Sequence, residues 1–378
     1  MAVETTQPAI AAELVAQHID RARDLLAAYR ADGLLVFRDT NIRAFCGVPL
    51  APSDRLVCGL LNQGGQVALV APAFEAHNAC TLPPGSELVL WEEHEYPYMA
   101  VYKAASMLGL ESGTILLDGH TWLDTYERLS AELPAATFRR DPGLIESVRI
   151  TKSPEEIEVI RAACEDAGQF FSLVAQHLRI GMSELDMNRE VTHQFHRDGL
   201  SVRNALIQGG ETASVPHRPS GTRVFQDGDA VIVDLVCEKE SYHGDITRTF
   251  ALGRPREEIR EAYTVVRDAQ RAAIASVRRG VTCESIDRAA RSVIEHAGLS
   301  EYFIHRVGHG IGLDGHEPPY LVQGNRKCLA AGMCVTIEPG VYVPGQFGIR
   351  IEDVISVTAD GCEILSSSVP TDVSAEFK

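Results

Sequence analysis

Residues 227–252 read DGDAVIVDLVCEKESYHGDITRTFAL: two apolar, β-branched runs joined by a short polar turn, the pattern of a β-hairpin. Two carboxylates disturb it. Asp234 sits among Val231, Ile232, Val233, Leu235 and Val236, and Asp245 follows eleven residues later on the returning strand. An unpaired carboxylate is costly to bury in an apolar strand, so each calls for a cation or a proton. The oddity recurs in the hairpin-like segment 334–358, where Glu338 lies in CVTIEPGVYV (334–343) and Glu352 in FGIRIEDVISV (347–357). This pairing of carboxylates within each hairpin is the only internal echo along the chain.

Between the hairpins lies HRVGHGIGLDGHEPP (305–319), three histidines set among four glycines and closed by a proline pair. Glycine leaves the backbone bare, so another chain segment or a ligand can approach closely. Each carboxylate alone has an ordinary explanation: Asp234 can meet an arginine, Glu352 can pair with Arg350, Asp245 can cap a turn. Four of them together, with a glycine-flanked histidine, have the composition of an oxygen-rich dinuclear metal site. Hard oxygen donors with a single imidazole favour manganese or cobalt(II) over a thiolate-type structural zinc.

The 378 residues suit two domains. With 45% hydrophobic and 23% charged residues, the composition is that of a globular protein. A net charge of −17 without any basic stripe argues against nucleic acid as a partner. The nine cysteines are scattered with no CxxC pair, which fits buried free thiols in a reducing compartment. The N-terminal stretch lacks a basic leader, Glu13 interrupts its apolar run, and no run of ~18 apolar residues offers a membrane span. A cytoplasmic protein without signal peptide or membrane anchor is expected.

Along the first part of the chain, apolar runs at 33–37, 56–61, 67–72, 87–91 and 114–119 predict strands, and the amphipathic stretches 10–31 and 121–133 predict helices. That alternation indicates a small α/β domain. A helix then starts at Pro154, with Ser153 as cap and Glu156 completing a capping box. Further helices are expected over 183–198, 255–279 and 285–297. The domain boundary falls just before the Pro154 helix, giving domains 1–148 and 149–378.

Taken together, DLVCEKESYHGDITRTF (234–250), HRVGHGIGLDGHEPP, TIEPGVY (336–342) and GIRIEDVISVT (348–358) resemble, in order and spacing, the motifs of the pita-bread metallopeptidases, family M24. That family includes methionine aminopeptidase, aminopeptidase P and prolidase, with creatinase as a metal-free relative. The resemblance covers essentially the whole chain and is to the proline-specific branch. It implies an α+β architecture, with a creatinase-like α/β N-terminal domain and a pita-bread catalytic domain whose site lies in a curved antiparallel sheet. It implies two divalent metal ions, manganese first with cobalt and zinc as alternatives. Asp234 would bind one ion, His309 and Glu338 the other, and Asp245 and Glu352 would bridge them around a nucleophilic hydroxide. Glu338 would also shuttle the proton to the leaving nitrogen.

By the same resemblance, His316 hydrogen-bonds the substrate carbonyl and oxyanion, and His305 lines the proline pocket. His217, in ASVPHRPSG (213–221), contacts the leaving-group side. Tyr342 and Arg350 match active-site positions, with Arg350 orienting the bridging Glu352. Three positions depart from the family pattern. Val236 stands where glycine is common and Gly244 where serine is common, both expected to shape the substrate pocket. Tyr320 stands where strict prolidases tend to carry an arginine for the dipeptide carboxylate.

The implied activity is hydrolysis of the bond preceding proline, as an Xaa-Pro dipeptidase, on small peptides with proline in second position. Xaa-Pro aminopeptidase is the nearest alternative. Creatinase-type chemistry is disfavoured because all five ligand positions are present, whereas ectoine-derivative hydrolases and dimethylsulfoniopropionate lyases share the scaffold and stay open. A non-enzymatic binding module, as in histone-chaperone subunits with this fold, is disfavoured because those lose the ligands. A homodimer is expected from the family.

Overall fold

The computed structural model describes residues 10–50 and 54–371. The leaderless reading of the N-terminus rests in part on residues 1–9, which lie outside the described residues. The chain divides into two units at Arg149/Ile150.

In the first unit, α1 (Ala12–Ala28), β1 (Gly33–Val36), α2 (Asp39–Cys46), β2 (Cys58–Asn62), β3 (Val67–Pro72), β4 (Glu87–Trp91), α3 (Pro97–Met107), β5 (Thr114–Leu117), α4 (Leu123–Glu132), β6 (Thr137–Arg140) and α5 (Leu144–Arg149) follow one another. The strands form one mixed sheet ordered β4-β3-β2-β1-β5-β6. β1 is antiparallel to β2 and parallel to β5, and every one of its residues is buried. Burial on both faces is why its sequence, GLLV, is continuously apolar instead of alternating. All five predicted apolar runs contain a strand. β6 went unpredicted because TFRR lies at the sheet edge and is largely exposed, leaving no apolar signature.

The second unit carries α6 (Pro154–His177), α7 (Glu184–Arg197), β7 (Ser201–Gly209), β8 (Asp229–Lys239), β9 (Tyr242–Leu252), α8 (Glu257–Ser276), α9 (Cys283–His296), β10 (Gly308–Gly310), β11 (Glu317–Leu321), β12 (Cys334–Ile337), β13 (Gly340–Val343), β14 (Phe347–Arg350), β15 (Asp353–Val357) and β16 (Cys362–Ile364). All strand pairs here are antiparallel, in sheets ordered β7-β8-β9, β11-β10-β12-β15-β16 and β13-β14. The Ser153 hydroxyl accepts from the Glu156 N–H and the Glu156 carboxylate accepts from the Ser153 N–H at 2.7 Å, the expected capping box. The other oxygen of Glu156 accepts from Tyr242 Oη at 2.8 Å, so the cap also ties α6 to the start of β9.

The first hairpin forms as expected, with β8 and β9 paired from Asp229↔Leu252 to Lys239↔Tyr242. The second does not. Segment 334–358 is two nested pairs: β12 with β15 outside, and β13 with β14 as a separate sheet. Pro339 lacks the N–H to continue a ladder, and the chain leaves strand geometry at 338–339 and again at 351–352. Glu338 and Glu352 therefore sit in the two breaks, not inside strands.

Beneath Glu352 lies the main internal brace. Arg248, 1% exposed, donates to the Asp353 carboxylate at 2.7 Å, to the carbonyls of Val369 and Pro370, and to the Glu352 carbonyl. Asp353 accepts also from Gln270 Nε2 and Ser366 Oγ, both at 2.6 Å. Removing one partner of such a buried pair leaves an uncompensated charge, so Arg248→Met should cost about 3–5 kcal/mol in urea unfolding. Ser153→Ala should cost about 1 kcal/mol, the ordinary value of an N-cap. If both variants melted at the same urea concentration as wild type, these anchors would carry no stability.

Candidate metal centre and active site

Asp234 on β8 and Asp245 on β9 are neither cross-strand partners nor adjacent in sequence, since Asp234 pairs Thr247 and Val236 pairs Asp245. They are diagonal neighbours across the hairpin, within reach of one another. Glu352 is brought over them by the Glu352 N–H to Thr247 carbonyl bond, 3.0 Å, and Thr247 Oγ1 donates to its Oε2 at 2.7 Å. Glu338 is held by its N–H to the Val307 carbonyl at 2.7 Å. Ligand-capable atoms of Asp234, Asp245 and Glu352 all lie within 4.8 Å of one another, as do those of His309, Glu338 and Glu352, and those of Asp245, His309 and His316. The five predicted ligand positions thus converge in one place, with Glu352 common to two of the groups.

The glycines of 305–319 answer to close packing. A side chain at Gly308 would put Cβ 1.9 Å from the Thr336 carbonyl, so only glycine lets β10 lie this near β12. His309 follows on β10. Its main-chain N–H donates to Thr336 Oγ1, and its Nδ1 donates to the Gly310 carbonyl at 3.0 Å. That leaves the Nε2 lone pair facing Glu338 Oε1 at 3.3 Å and Asp245 Oδ2 at 3.8 Å.

The electrostatics follow from crowding. Burial, then repulsion from Asp234 and Glu338, raises the Asp245 carboxyl well above the usual carboxylate range. Burial and Asp245 do the same to Glu352. Burial pushes Glu338 up to about 7, with Arg350 opposing and Asp234 reinforcing. His309 is driven well below its ordinary value by burial and then by His316, which keeps the imidazole neutral. Glu352 Oε1 is buried with no hydrogen-bond partner. A neutral imidazole lone pair aimed at carboxylates, beside a buried and unpartnered carboxylate oxygen, is what divalent cations reconcile. The residues present fit two such ions.

Around the carboxylates runs a chain of hydrogen bonds. Arg350, 3% exposed, donates from Nη2 to Asp234, from Nη1 to Tyr342 Oη at 2.9 Å and from Nε to Thr247 Oγ1 at 3.2 Å. Its expected service to Glu352 is indirect: the guanidinium pairs with Asp234 and reaches Glu352 through Thr247, whose Oγ1 accepts from Arg350 Nε and donates to Glu352 Oε2. Tyr342 Oη lies 2.9 Å from His305 Nε2, whose ring Nδ1 contacts the Arg306 carbonyl at 2.7 Å. Burial, then Arg350, pushes His305 down to about 4, so the ring is a neutral wall at working pH. Burial pushes Tyr342 up to about 12, so it stays protonated.

His316 is exposed, its ring centroid 3.9 Å from that of His309. Arg306 Nη2 approaches its Nδ1 at 3.5 Å, which puts the imidazole proton on Nε2. His217 sits in an exposed loop, where its charge is felt by both His305 and His316. Gln208, buried on β7, donates from Nε2 to the carbonyls flanking that loop, Val215 at 3.1 Å and Arg218. Tyr320 is half-buried on β11, opposite His309 in the register.

Two departures from the family pattern resolve differently. Gly244 faces away from the carboxylates, and a Cβ there would meet Ala163 C and Cys164 N of α6 at 2.8 Å. It is a helix-packing glycine and does not shape a pocket, which corrects that expectation. Val236 does face the Gly315 side, 4.0 Å from where a Cβ on Gly315 would lie. Sequence reading missed Thr247, Thr336, Gln208 and Arg306. The two threonines share a strand face with Asp245 or lie two residues before Glu338, a period-2 signal that could have found them. Gln208 and Arg306 carry no pattern at all. His193 and His196 are exposed, and Cys237 and Cys334 are buried, as read from the sequence; all nine cysteines are free.

Comparison with known proteins bears on this arrangement. Residues 158–359 match the model of metallopeptidase family M24, and residues 18–151 match the creatinase/prolidase N-terminal domain. An Xaa-Pro dipeptidase of Lactobacillus helveticus is 33% identical over 356 residues, covering 91% of this chain and 95% of its own. A dipeptidase structure from Pyrococcus horikoshii OT3 superposes with a TM-score of 0.85 at 32% identity, over 94% of this chain and 99% of that one. A recombinant prolidase from Thermococcus sibiricus does so at 0.87 and 28%, over 94% and 97%. The expected α+β architecture is met in both units, and with these matches the chain belongs to metallopeptidase family M24, in the form that carries a creatinase/prolidase N-terminal domain.

Proposed function

We propose that this protein is an Xaa-Pro dipeptidase, hydrolysing the bond that precedes proline in dipeptides with the help of two divalent cations. The observation that carries the reading is the clustering of Asp234, Asp245, Glu338 and Glu352 in overlapping groups with a neutral His309 whose Nε2 faces Glu338 and Asp245, in a chain whose relatives include an Xaa-Pro dipeptidase. Asp234, Asp245 and Glu352 would hold one ion; His309, Glu338 and the bridging Asp245 and Glu352 would hold the other. The oxygen-rich donor set with one imidazole suits Mn2+, with Co2+ and Zn2+ as the alternatives. When bound, the ions supply Lewis acidity towards the carbonyl and acidify water at neutral pH.

The protein's own groups do the rest. Glu338, beside His309 Nε2 at 3.3 Å, takes a proton from the attacking water on a carboxylate oxygen and delivers it to the imide nitrogen. That delivery matters because proline's nitrogen has no hydrogen of its own and leaves only when protonated. His316 Nε2–H donates to the carbonyl oxygen and strengthens as negative charge develops there. His305 and Tyr342 form the wall for the proline ring, with Arg350 locking Tyr342 in place. His217 reaches the leaving-group side. Domains 1–148 and 149–378, cytoplasmic residence and a homodimer complete the reading; nine free thiols and the family resemblance support them.

The test is release of free proline from Ala-Pro, with Ala-Pro-Ala in parallel, after chelation and refilling with Mn2+. Dipeptide cleavage that returns with the ion is expected; equal or faster tripeptide cleavage would make the protein an aminopeptidase, and no cleavage of either would refute the reading. His309→Ala should lower Ala-Pro turnover by about a hundredfold or more and weaken Mn2+ binding measured by calorimetry. Unchanged affinity would remove His309 from the ligand set.

Ion removal also has a pH signature. In the ion-free fold the Asp245, Glu352 and Glu338 carboxyls prefer the protonated form, whereas in the unfolded chain they titrate near 4. Their folded values are raised, so the stability they permit is present below about pH 4 and is lost as pH rises towards and past 7. Bound cations displace those protons. The gain in Tm on adding Mn2+ should therefore be larger at pH 8 than at pH 5.5, and a gain that shrinks with rising pH would contradict it.

A further inference from the structure

His316 stands exposed at the end of the turn 312–316, with loose holds on its ring: the face of His309, centroids 3.9 Å apart, and Arg306 Nη2 at 3.5 Å. Glu317, the next residue, is buried and firmly bound. Its Oε1 accepts from Lys152 Nζ at 2.6 Å, with 6% and 1% of the two side chains exposed, and its Oε2 accepts from the Asp314 N–H at 3.3 Å. A Cβ on Gly312 would lie 2.8 Å from Glu317 Oε1 and 2.9 Å from Lys152 Cε, so glycine there makes room for the ion pair. The start of the turn is held by main chain instead. The Ile311 N–H donates to the Cys334 carbonyl at 3.1 Å, and the Gly312 carbonyl accepts from the His243 N–H at 2.9 Å.

Lys152 is itself fixed before it reaches the turn. Its N–H donates to the Gly332 carbonyl at 2.8 Å, and Ser153, next in sequence, caps α6. α6 lies against β9 at Gly244, one residue from Asp245, so a single frame carries both the ligand hairpin and the lysine. The link from Lys152 to Glu317 spans 165 positions of sequence and joins that frame to the His316 turn. Taking two charges out of water offsets most of their attraction, so such a pair adds little stability over an apolar pair of the same size. What it adds here is direction. A 2.6 Å contact between an ammonium and one carboxylate oxygen fixes the Glu317 side chain, and with it the main chain from which the His316 imidazole hangs.

We infer that Lys152 is a positioning residue for the hydrolysis: through Glu317 it holds the turn so that the His316 Nε2–H meets the scissile carbonyl oxygen. The inference rests on the dipeptidase reading and deepens it. Lys152 is buried out of reach of substrate, so it acts through His316 and not by contact. Its effect belongs to kcat. A donor displaced by about an ångström loses the interaction that grows as negative charge develops on the oxygen, while ground-state binding of the peptide changes little.

The experiment replaces the ion pair by an apolar one, Lys152→Met with Glu317→Leu, which leaves no uncompensated charge behind. The Mn2+-loaded proteins are compared in Ala-Pro kinetics, in Mn2+ affinity by calorimetry and in amide hydrogen exchange over 311–317. The double variant should lose about ten- to a hundredfold in kcat with KM within about twofold, bind Mn2+ as wild type does, and exchange faster over 311–317. Adding His316→Ala to it should then cost far less than His316→Ala costs wild type, since the imidazole is already out of place. Lys152→Arg, which keeps the charge, should retain more of kcat than Lys152→Met. A merely structural role predicts otherwise: weakened Mn2+ binding, or a kcat loss of the same factor with and without His316, and either result overturns the proposal. So does unchanged exchange over 311–317. Should the apolar pair not fold, Glu317→Gln and Lys152→Arg enter the same cycle with His316→Ala, and strictly additive losses refute the hold. Wild type that cleaves no Xaa-Pro dipeptide would refute the dipeptidase reading and with it this role in hydrolysis; Ala-Pro cleavage with kcat unmoved by the variants would refute only the role of Lys152.

Discussion

Four carboxylates held within a few ångströms of one another, out of water, repel strongly, and this repulsion governs the catalytic unit. In a medium of low effective dielectric their mutual interactions are worth several kcal/mol each, so the fold tolerates them only with compensating charge. The raised carboxyls of Asp245 and Glu352, the neutral His309 and the unpartnered Glu352 oxygen are consequences of one crowding. Divalent cations at this point would convert the repulsion into the strongest attraction in the molecule.

The scaffold handles the strain with two buried arginines used in opposite ways. Arg350 spends its charge on a side chain of the cluster, Asp234, and through Tyr342 extends order to His305. Arg248 spends its charge one layer below, on Asp353, and holds the Glu352 main chain and the 369–370 carbonyls without touching a cluster carboxylate. One arginine therefore tunes the site and the other fixes the backbone it hangs on. The strand breaks at 338–339 and 351–352 belong to the same design, since a carboxylate in a regular ladder would have to point at one sheet face or the other. In a break it can lean over the hairpin formed by β8 and β9.

Against this negative centre, Arg306 sets a positive group over the Tyr320 ring and beside the His316 imidazole. Where the family pattern tends to carry an arginine, this chain has Tyr320, and the Arg306 guanidinium, from the coil before β10, lies over its ring.

Much of this was written in the chain. Apolar alternation marked the strands, Ser153 and Glu156 marked a helix start, and charges inside apolar runs marked Asp234, Asp245, Glu338 and Glu352, because burying a charge is too costly to be accidental. Those signals are local, so a linear reading reaches them. Partner choice is not local. That Arg350 meets Asp234 directly and Glu352 only through Thr247, that segment 334–358 splits into nested pairs, that Gly244 exists to admit α6, and that Arg306 lies over Tyr320 all depend on which surfaces the sheets bring together. Each joins residues distant in sequence, whose proximity is set by strand register and helix packing. Residue type determined what chemistry this protein can hold; only the tertiary structure decided which groups share a charge, because Coulomb energy and packing depend on distance in space.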